Sequence, residues 1–261
     1  MCAEMEWDDE ADVVCTGAGV AGLATAISTV DEDGDVLVAE RPTEEPDRSW
    51  WPIDCADPET MSYLGELTAD LDIAGLDGHQ DVLPVRAITP APAKAPATVP
   101  PFVGSRMRDW AAQCICSPTG YLYTRVTDWP SATVVLSGGE SWEIVEVGTV
   151  PADHGDPVAA VHKWLSAEAD ARDVDRVSVT GVQRLVFDAG AVAGVVFGTD
   201  DGPYAVRARH GVLICPQIQT AGHASARVSD SAPLRVALVG RAGSRFGRVE
   251  LLDGPTGAET Y

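Results

Sequence analysis

Residues 17–22 read Gly17-Ala18-Gly19-Val20-Ala21-Gly22, a G-x-G-x-x-G pattern, and Glu40 follows farther along the chain. Residue types at this spacing suit the binding of a dinucleotide. Gly17 permits a tight strand-to-helix turn, Gly19 has no side chain to block a pyrophosphate, and Gly22 lets the helix lie close to the sheet. The open N–H groups and positive dipole end of that helix would face the phosphates. Glu40 would accept hydrogen bonds from the ribose hydroxyls, and a carboxylate there repels a 2′-phosphate, which argues against NADP. NAD and FAD share this pattern, so these residues leave the choice between them open. The plainer reading is a glycine turn in an α/β protein without a cofactor.

Other chemistry-bearing residues are scattered. Tyr121 and Tyr123 in GYLYTR share a face if the segment is a strand. They are candidate acids for a site, or one side of a half-buried strand. Arg106 and Arg108 in SRMRDW could hold an anion or be solvated charges. The six cysteines lack the paired spacing of a disulfide framework or a zinc ribbon. Cys114-Ile115-Cys116 supplies half a metal site at most, and Cys15 and Cys215 sit in apolar runs as small core residues. The five histidines show no metal-ligand spacing. No catalytic residue and no metal ligand is identified.

The elements that must position these groups follow from hydrophobic pattern. Residues 11–16 and 35–39 are apolar without alternation, as in parallel strands covered on both faces, and 20–30 reads as a helix between them. This is a βαβ unit. Residues 41–56 form a charged, proline-containing loop. Asp57-Pro58-Glu59 opens a helix with an N-cap acceptor and proline at its first position, and Met61, Leu64, Leu67 and Leu71 make its core-facing stripe. Six prolines in 84–101 predict an extended connector. Residues 132–150 read as two strands around Ser137-Gly138-Gly139, and Asp156-Pro157 opens a helix with Val158, Val161, Trp164 and Leu165 on one face. From 175 onward, Asp188-Ala189-Gly190 and Asp200-Asp201-Gly202 punctuate three short strands of a β-meander. The apolar run 211–215 is a further, central strand, 217–232 is loop, and 234–240 is a last buried strand.

The expected fold is α/β: a Rossmann-like dinucleotide-binding domain with a central parallel sheet and a β-meander, made of 1–56 and 175–261. Residues 57–174 form a small inserted α+β region of helix and β-hairpin. The net charge of −22 repels phosphate backbones and anionic lipid, which removes nucleic acid and membrane surfaces as expected partners. The acid-rich, lysine-poor balance suits solubility in high salt, and a GC-rich genome would give the same bias. The N-terminal residues lack a signal-peptide run, and no uncharged apolar stretch approaches the ~20 residues of a membrane span. The expected setting is a reducing cytoplasm.

The run GAGVAGLATAI, followed by VLVAER, resembles the first motif of flavoproteins with two dinucleotide-binding domains. The segment from Val182 to Val195, VQRLVFDAGAVAGV, and the run ARHGVLICP at 208–216 are similar to one branch, the fumarate reductase and 3-ketosteroid dehydrogenase flavoproteins. The likeness covers about 12–41 and 175–215 well, and 57–71 and 233–247 weakly. It implies FAD, with the loop Gly17, Ala18, Gly19, Val20, Ala21 and Gly22, then Glu40 and Arg41, at the ADP half. It also implies that Val182 touches the adenine through its backbone and that Gly240 lies near the phosphates. The chain departs from the family where PTEEPDRSWW replaces a glycine- and serine-rich loop, and where Cys215-Pro216-Gln217-Ile218 replaces a glycine turn. The family's cap domain is not expected here, and an abbreviated C-terminal segment is expected.

Two readings follow from the resemblance. One is an oxidoreductase moving a hydride between flavin N5 and a carbon adjacent to a carbonyl of a small-molecule substrate. A second copy of the chain, or a cap-bearing flavoenzyme subunit, would then close the site. The other is a non-catalytic subunit acting as structural or regulatory partner of an active flavoenzyme. An NAD-dependent dehydrogenase has the glycine pattern alone in its favour.

Overall fold

In the computed structural model, residues 5–42, 55–71, 83–87, 104–126, 133–137, 140–150, 157–215 and 234–253 are described. The chain runs β1 (Asp9–Cys15), α1 (Val20–Asp31), β2 (Val36–Glu40), α2 (Pro58–Thr68), β3 (Val85–Ala87), α3 (Gly104–Cys116), β4 (Gly120–Tyr123), β5 (Thr133–Ser137) and β6 (Glu140–Val150). It continues through α4 (Pro157–Ala171), β7 (Asp175–Ser178), β8 (Gly181–Asp188), β9 (Ala191–Thr199), β10 (Gly202–Ile214), β11 (Leu234–Gly240) and β12 (Phe246–Asp253). Among the described residues the strands form one mixed sheet ordered β5-β6-β11-β12-β4-β10-β1-β2-β7. β3 adds to β12, and β9 leads from β10 out to β8. The fold class is α/β, as the sequence predicts.

One half of the sheet is parallel. β1 pairs in parallel with both β2 and β10, and β7 pairs in parallel with β2. Val14, Cys15, Val38 and Ala39 have no exposed surface, as expected of strands covered on both faces. α1 connects β1 to β2, and its residues 20–29 are all buried. A helix apolar on every side needs cover on every side. The sheet covers one side, and α4 the other through Val158, Val161, Leu165 and Ala169. Arg172 ties the helix ends together, donating to Asp31 at 2.8 Å and to Glu168 at 2.7 Å.

The other half is antiparallel, built from β4, β12, β11, β6 and β5. Side chains of β12 alternate between faces. Val249 and Leu251 join α1 and α4 in one core, while Leu252 joins Trp110 of α3 and Trp142 of β6 on the opposite face. A third core lies under α2, with Leu64, Leu122, Phe197 and Ile214. Residues 57–174 therefore contribute strands β3 to β6 to the same sheet as β1 and β2.

Three local expectations change. Met61 is 41% exposed, so it leaves the predicted stripe of α2. The helix is anchored through Thr60, whose hydroxyl accepts from the Leu185 N–H at 2.8 Å. Its buried face runs through Thr60, Leu64 and Leu67, and Met61 is rotated about 100° from Thr60. The apolar run at 211–215 is not a separate strand but the end of β10, which is continuous through a bulge. Ala208 faces Ala11 while Gly211 faces Val13, three residues against two, and Gly211 adopts φ +147°. The connector predicted over 84–101 begins with strand β3, paired to β12. The remaining connector residues, the loop at 43–54, Gly138-Gly139 and the loop at 217–232 lie outside the described residues. Among the described residues no helix is long and apolar enough to cross a membrane.

Candidate functional site

The register sets Cys15 of β1 beside Val38 of β2 and Leu213 of β10. The carboxyl ends of three parallel strands thus share one edge, where α/β sheets bind ligands. Thr16–Gly19 turn there into α1. The Thr16 N–H donates to Leu213 O at 2.9 Å, and the Cys215 N–H donates to Thr16 Oγ1 at 3.2 Å. The Cys215 thiol points at Gly17 O, 3.4 Å away. Burial pushes the Cys215 thiol up to about 12 and raises Cys15 as well, so neither is a thiolate nucleophile.

The glycines carry the turn. A Cβ on Gly22 would lie 1.8 Å from Gly17 O, a distance no side chain tolerates. Gly19 is the N-cap and supplies no side-chain acceptor, and the first turn of α1 holds no acid. Leu23 donates to Gly19 O at 3.0 Å, but Val20, Ala21 and Gly22 N–H groups find no acceptor among the described residues. All three residues are buried. Open N–H groups at a helix N-terminus suit an anion. The loop carbonyl is oriented from elsewhere: His162 Nε2 on α4 donates to Ala18 O at 3.0 Å. In a trans peptide the Gly19 N–H points opposite to that carbonyl, away from His162.

Glu40 ends β2 with its side chain exposed, making no ion pair among the described residues. Its carbonyl accepts from the Val179 N–H at 2.9 Å. Arg41 follows, half-buried. Val182 lies three residues beyond Val179, half-buried at the start of β8. Glu40 and Arg41 thus lie at the carboxyl edge that carries the turn, next to the end of β7. Gly240 ends β11, four strands from β1 and so roughly 19 Å across the sheet. It pairs with Gly247, which pairs with Tyr121.

Tyr121 and Tyr123 do share a face of β4, but they are 8% and 3% exposed and belong to the core with α1. Gly247 lies flat against the Tyr121 ring, where a Cβ would be 2.4 Å from ring atoms. Burial raises both hydroxyls far above their ordinary range. The cavity beside them, near Gly240, holds about 20 Å³, room for one water. These tyrosines are packing residues. Cys114 is buried on α3 with Cys116 half-buried, and among the described residues no cluster of three or more His, Cys, Asp or Glu could hold a metal. His162 and Cys215 are contacts that sequence reasoning did not assign to the turn. They lie 144 and 198 residues from their partners, and no local pattern signals such contacts.

Fold and site together define an α/β chain with a glycine-rich strand-to-helix turn at the carboxyl edge of its parallel strands. No protein-family model matches the sequence. No curated protein matches it. Similar solved structures include the 3-ketosteroid-Δ4-(5α)-dehydrogenase from Rhodococcus jostii RHA1 in complex with 4-androstene-3,17-dione. It is 20% identical, with 80% of this chain and 46% of that chain covered and a TM-score of 0.36. The open conformation of a flavocytochrome c3 fumarate reductase is 15% identical, covering 77% and 33%, with a TM-score of 0.34. NikD, an unusual amino acid oxidase, is 18% identical, covering 78% and 50%, with a TM-score of 0.30. This chain spans half or less of the length of each. At these values the likenesses decide nothing about chemistry.

Proposed function

We propose that the chain binds FAD, with Gly17–Gly22 holding the pyrophosphate and Glu40 the adenosine ribose. The observation that carries this reading is the turn itself. A glycine is required at 22 by a 1.8 Å approach, and the N–H groups of the buried residues Val20, Ala21 and Gly22 have no acceptor among the described residues. The residues present fit the ADP half of the cofactor: donors for phosphate, a carboxylate for ribose hydroxyls, and the backbone near Val182 for adenine. The preference for FAD over NAD rests on the sequence resemblance of the meander. When bound, FAD supplies a hydride acceptor or donor at N5, and the reaction proposed is hydride transfer with a carbon adjacent to a carbonyl. What the chain itself contributes is orientation: His162 pins the Ala18 carbonyl, and Cys215 packs beneath Gly17.

A second reading is favoured by the burial of Tyr121 and Tyr123. With these candidate acids in the core, the chain would bind the cofactor without turning over, as a structural or regulatory partner of an active flavoenzyme. The purified protein's absorption spectrum tests the proposal. Flavin bands that bleach with dithionite are expected, and a protein lacking them after reconstitution with FAD sinks it. Flavin that is reduced by no substrate among enones, enoates and saturated ketones favours the second reading.

A further inference from the structure

Between α3 and the antiparallel half of the sheet lies a cavity of about 300 Å³. Arg248 and Glu250 alternate with Val249 and Leu251, so they face α3 and not α1. Arg248 lines the floor of the cavity with Arg86 of β3 and the Trp142 ring of β6. The wall is α3. Trp110 seats this helix, its indole N–H donating to Phe246 O at 2.9 Å. Asp109 and Gln113 are four residues apart, so they share one side of α3, and both line the cavity. Arg106 and Arg241 also border it, and both hold other partners.

The floor offers donors. Glu250 is 1% exposed and accepts from Arg86 through Nε and Nη2, the latter at 2.9 Å, and from Arg248 Nε at 2.7 Å. The Arg86 guanidinium stacks 3.8 Å from the Trp142 ring centre, and Arg248 lies over Trp110 at 5.0 Å. Stacking and fork pairing fix these planar groups before any ligand arrives. A guanidinium has five N–H donors. Nη1 and Nη2 of Arg248 and Nη1 of Arg86 meet no acceptor among the described residues. The two side chains are nevertheless only 13% and 15% exposed. The wall offers acceptors. Asp109 is exposed at the mouth of the cavity, and its carboxylate makes no hydrogen bond or ion pair among the described residues. Nor does the half-buried Gln113 amide make one. Arg86 and Arg248 against Glu250 and Asp109 leave no net charge, so the balance favours neither a simple anion nor a simple cation. The cavity separates its charges instead, with spare guanidinium donors on the sheet and a carboxylate on the helix.

We propose that this cavity binds the zwitterionic head of a free amino acid, with the ligand carboxylate on Arg86 and Arg248 and its ammonium group on Asp109. Such a ligand carries no net charge and satisfies both sides of the cavity at once. A lone carboxylate would leave Asp109 without a partner, and a lone ammonium group would leave the guanidinium donors open. A volume of about 300 Å³ is at the lower end of small-molecule sites, which suits a compact amino acid with Gln113 beside its side chain. The site does not rest on the cofactor reading, because it lies on the sheet face opposite α1.

Calorimetric titration of the full chain at physiological ionic strength tests this, with L-alanine and L-glutamine as probes. Propionate and ethylammonium, each carrying one of alanine's two charged groups, are the controls. Saturable binding with a Kd of about 0.1–1 mM is expected for at least one amino acid, with both controls weaker by about tenfold or more. Asp109→Asn weakens amino-acid binding about tenfold, because a charge-assisted hydrogen bond is lost, and does not weaken propionate. Asp70→Asn, which removes the same charge just past the end of α2, changes neither. Both substituted positions are exposed, so folding is retained. No saturation by either amino acid, propionate binding as tightly as alanine, or equal weakening by Asp70→Asn overturns the proposal. The absorption spectrum of bound flavin does not enter these readouts, so the two proposals fail separately.

Discussion

At the scale of single residues, the turn has one position that admits no side chain. Gly22→Ala places a methyl group against Gly17 O and the Cys215 sulfur. Overpacking of this kind costs about 1–3 kcal/mol. The expected outcome is a lower melting temperature together with weaker FAD binding, measured by thermal melts with and without cofactor. Asp57 is a second pivot. It caps α2 by accepting from the Thr60 N–H at 2.8 Å and from the Thr60 hydroxyl at 2.8 Å, which holds its carboxyl below the usual range. Asp57→Ala is expected to cost about 1 kcal/mol in a denaturant melt. Both features were legible in the sequence, because a glycine spacing and an Asp-Pro-Glu start are local chemistry. Glu250 was not legible. A glutamate beside an arginine in GRVELLD reads as surface, and its burial rests on Arg86, 164 residues away.

At the scale of elements, the β8–β9 turn places Ala189 at φ +49° and Gly190 at φ +80°. Both central residues are left-handed, the geometry of a type I′ hairpin, which suits glycine and strains alanine. Ala189→Gly is expected to stabilise by about 0.5–1 kcal/mol, raising the melting temperature by about 1–4 °C. The lower ends of β1, β2 and β10 are joined by Arg209, which donates to Asp12 at 2.7 Å and Asp35 at 2.6 Å. The Arg209 hydrogen bond holds the Asp12 carboxyl below its ordinary value. A carboxyl depressed in the folded state contributes stability above its unfolded pKa of about 3.9, and that contribution is lost as pH falls through the folded value. Melts from about pH 6 to about pH 3 should show Asp12→Asn losing less stability on acidification than the wild type. The meander was readable from its Asp-Gly turns, and the βαβ unit from unbroken apolar runs. α3 was not, since GSRMRDWAAQCIC buries only Trp110, Ala111, Ala112 and Cys114 and shows no continuous stripe. β12 was hidden by the charges of Arg248 and Glu250, which are neutralised against each other inside the fold.

At the scale of the whole molecule, parallel and antiparallel halves meet where β10 pairs with β4. The parallel half presents the glycine turn, and the antiparallel half carries the arginine cavity on the face opposite α1. With a net charge of −22, self-repulsion opposes compaction, and screening should relieve it. A melting temperature that rises between low and molar sodium chloride is expected. The central claim is that the turn at Gly17–Gly22 is a working cofactor seat, and one measurement tests it most directly: the melting temperature of flavin-free protein as FAD is added. At a hundredfold excess over Kd, mass action adds about 2.7 kcal/mol, a rise of about 5–10 °C. The account predicts that rise, its near-complete loss in Gly22→Ala, and a smaller rise in Glu40→Ala. A wild-type melting temperature that does not move with saturating FAD would contradict it.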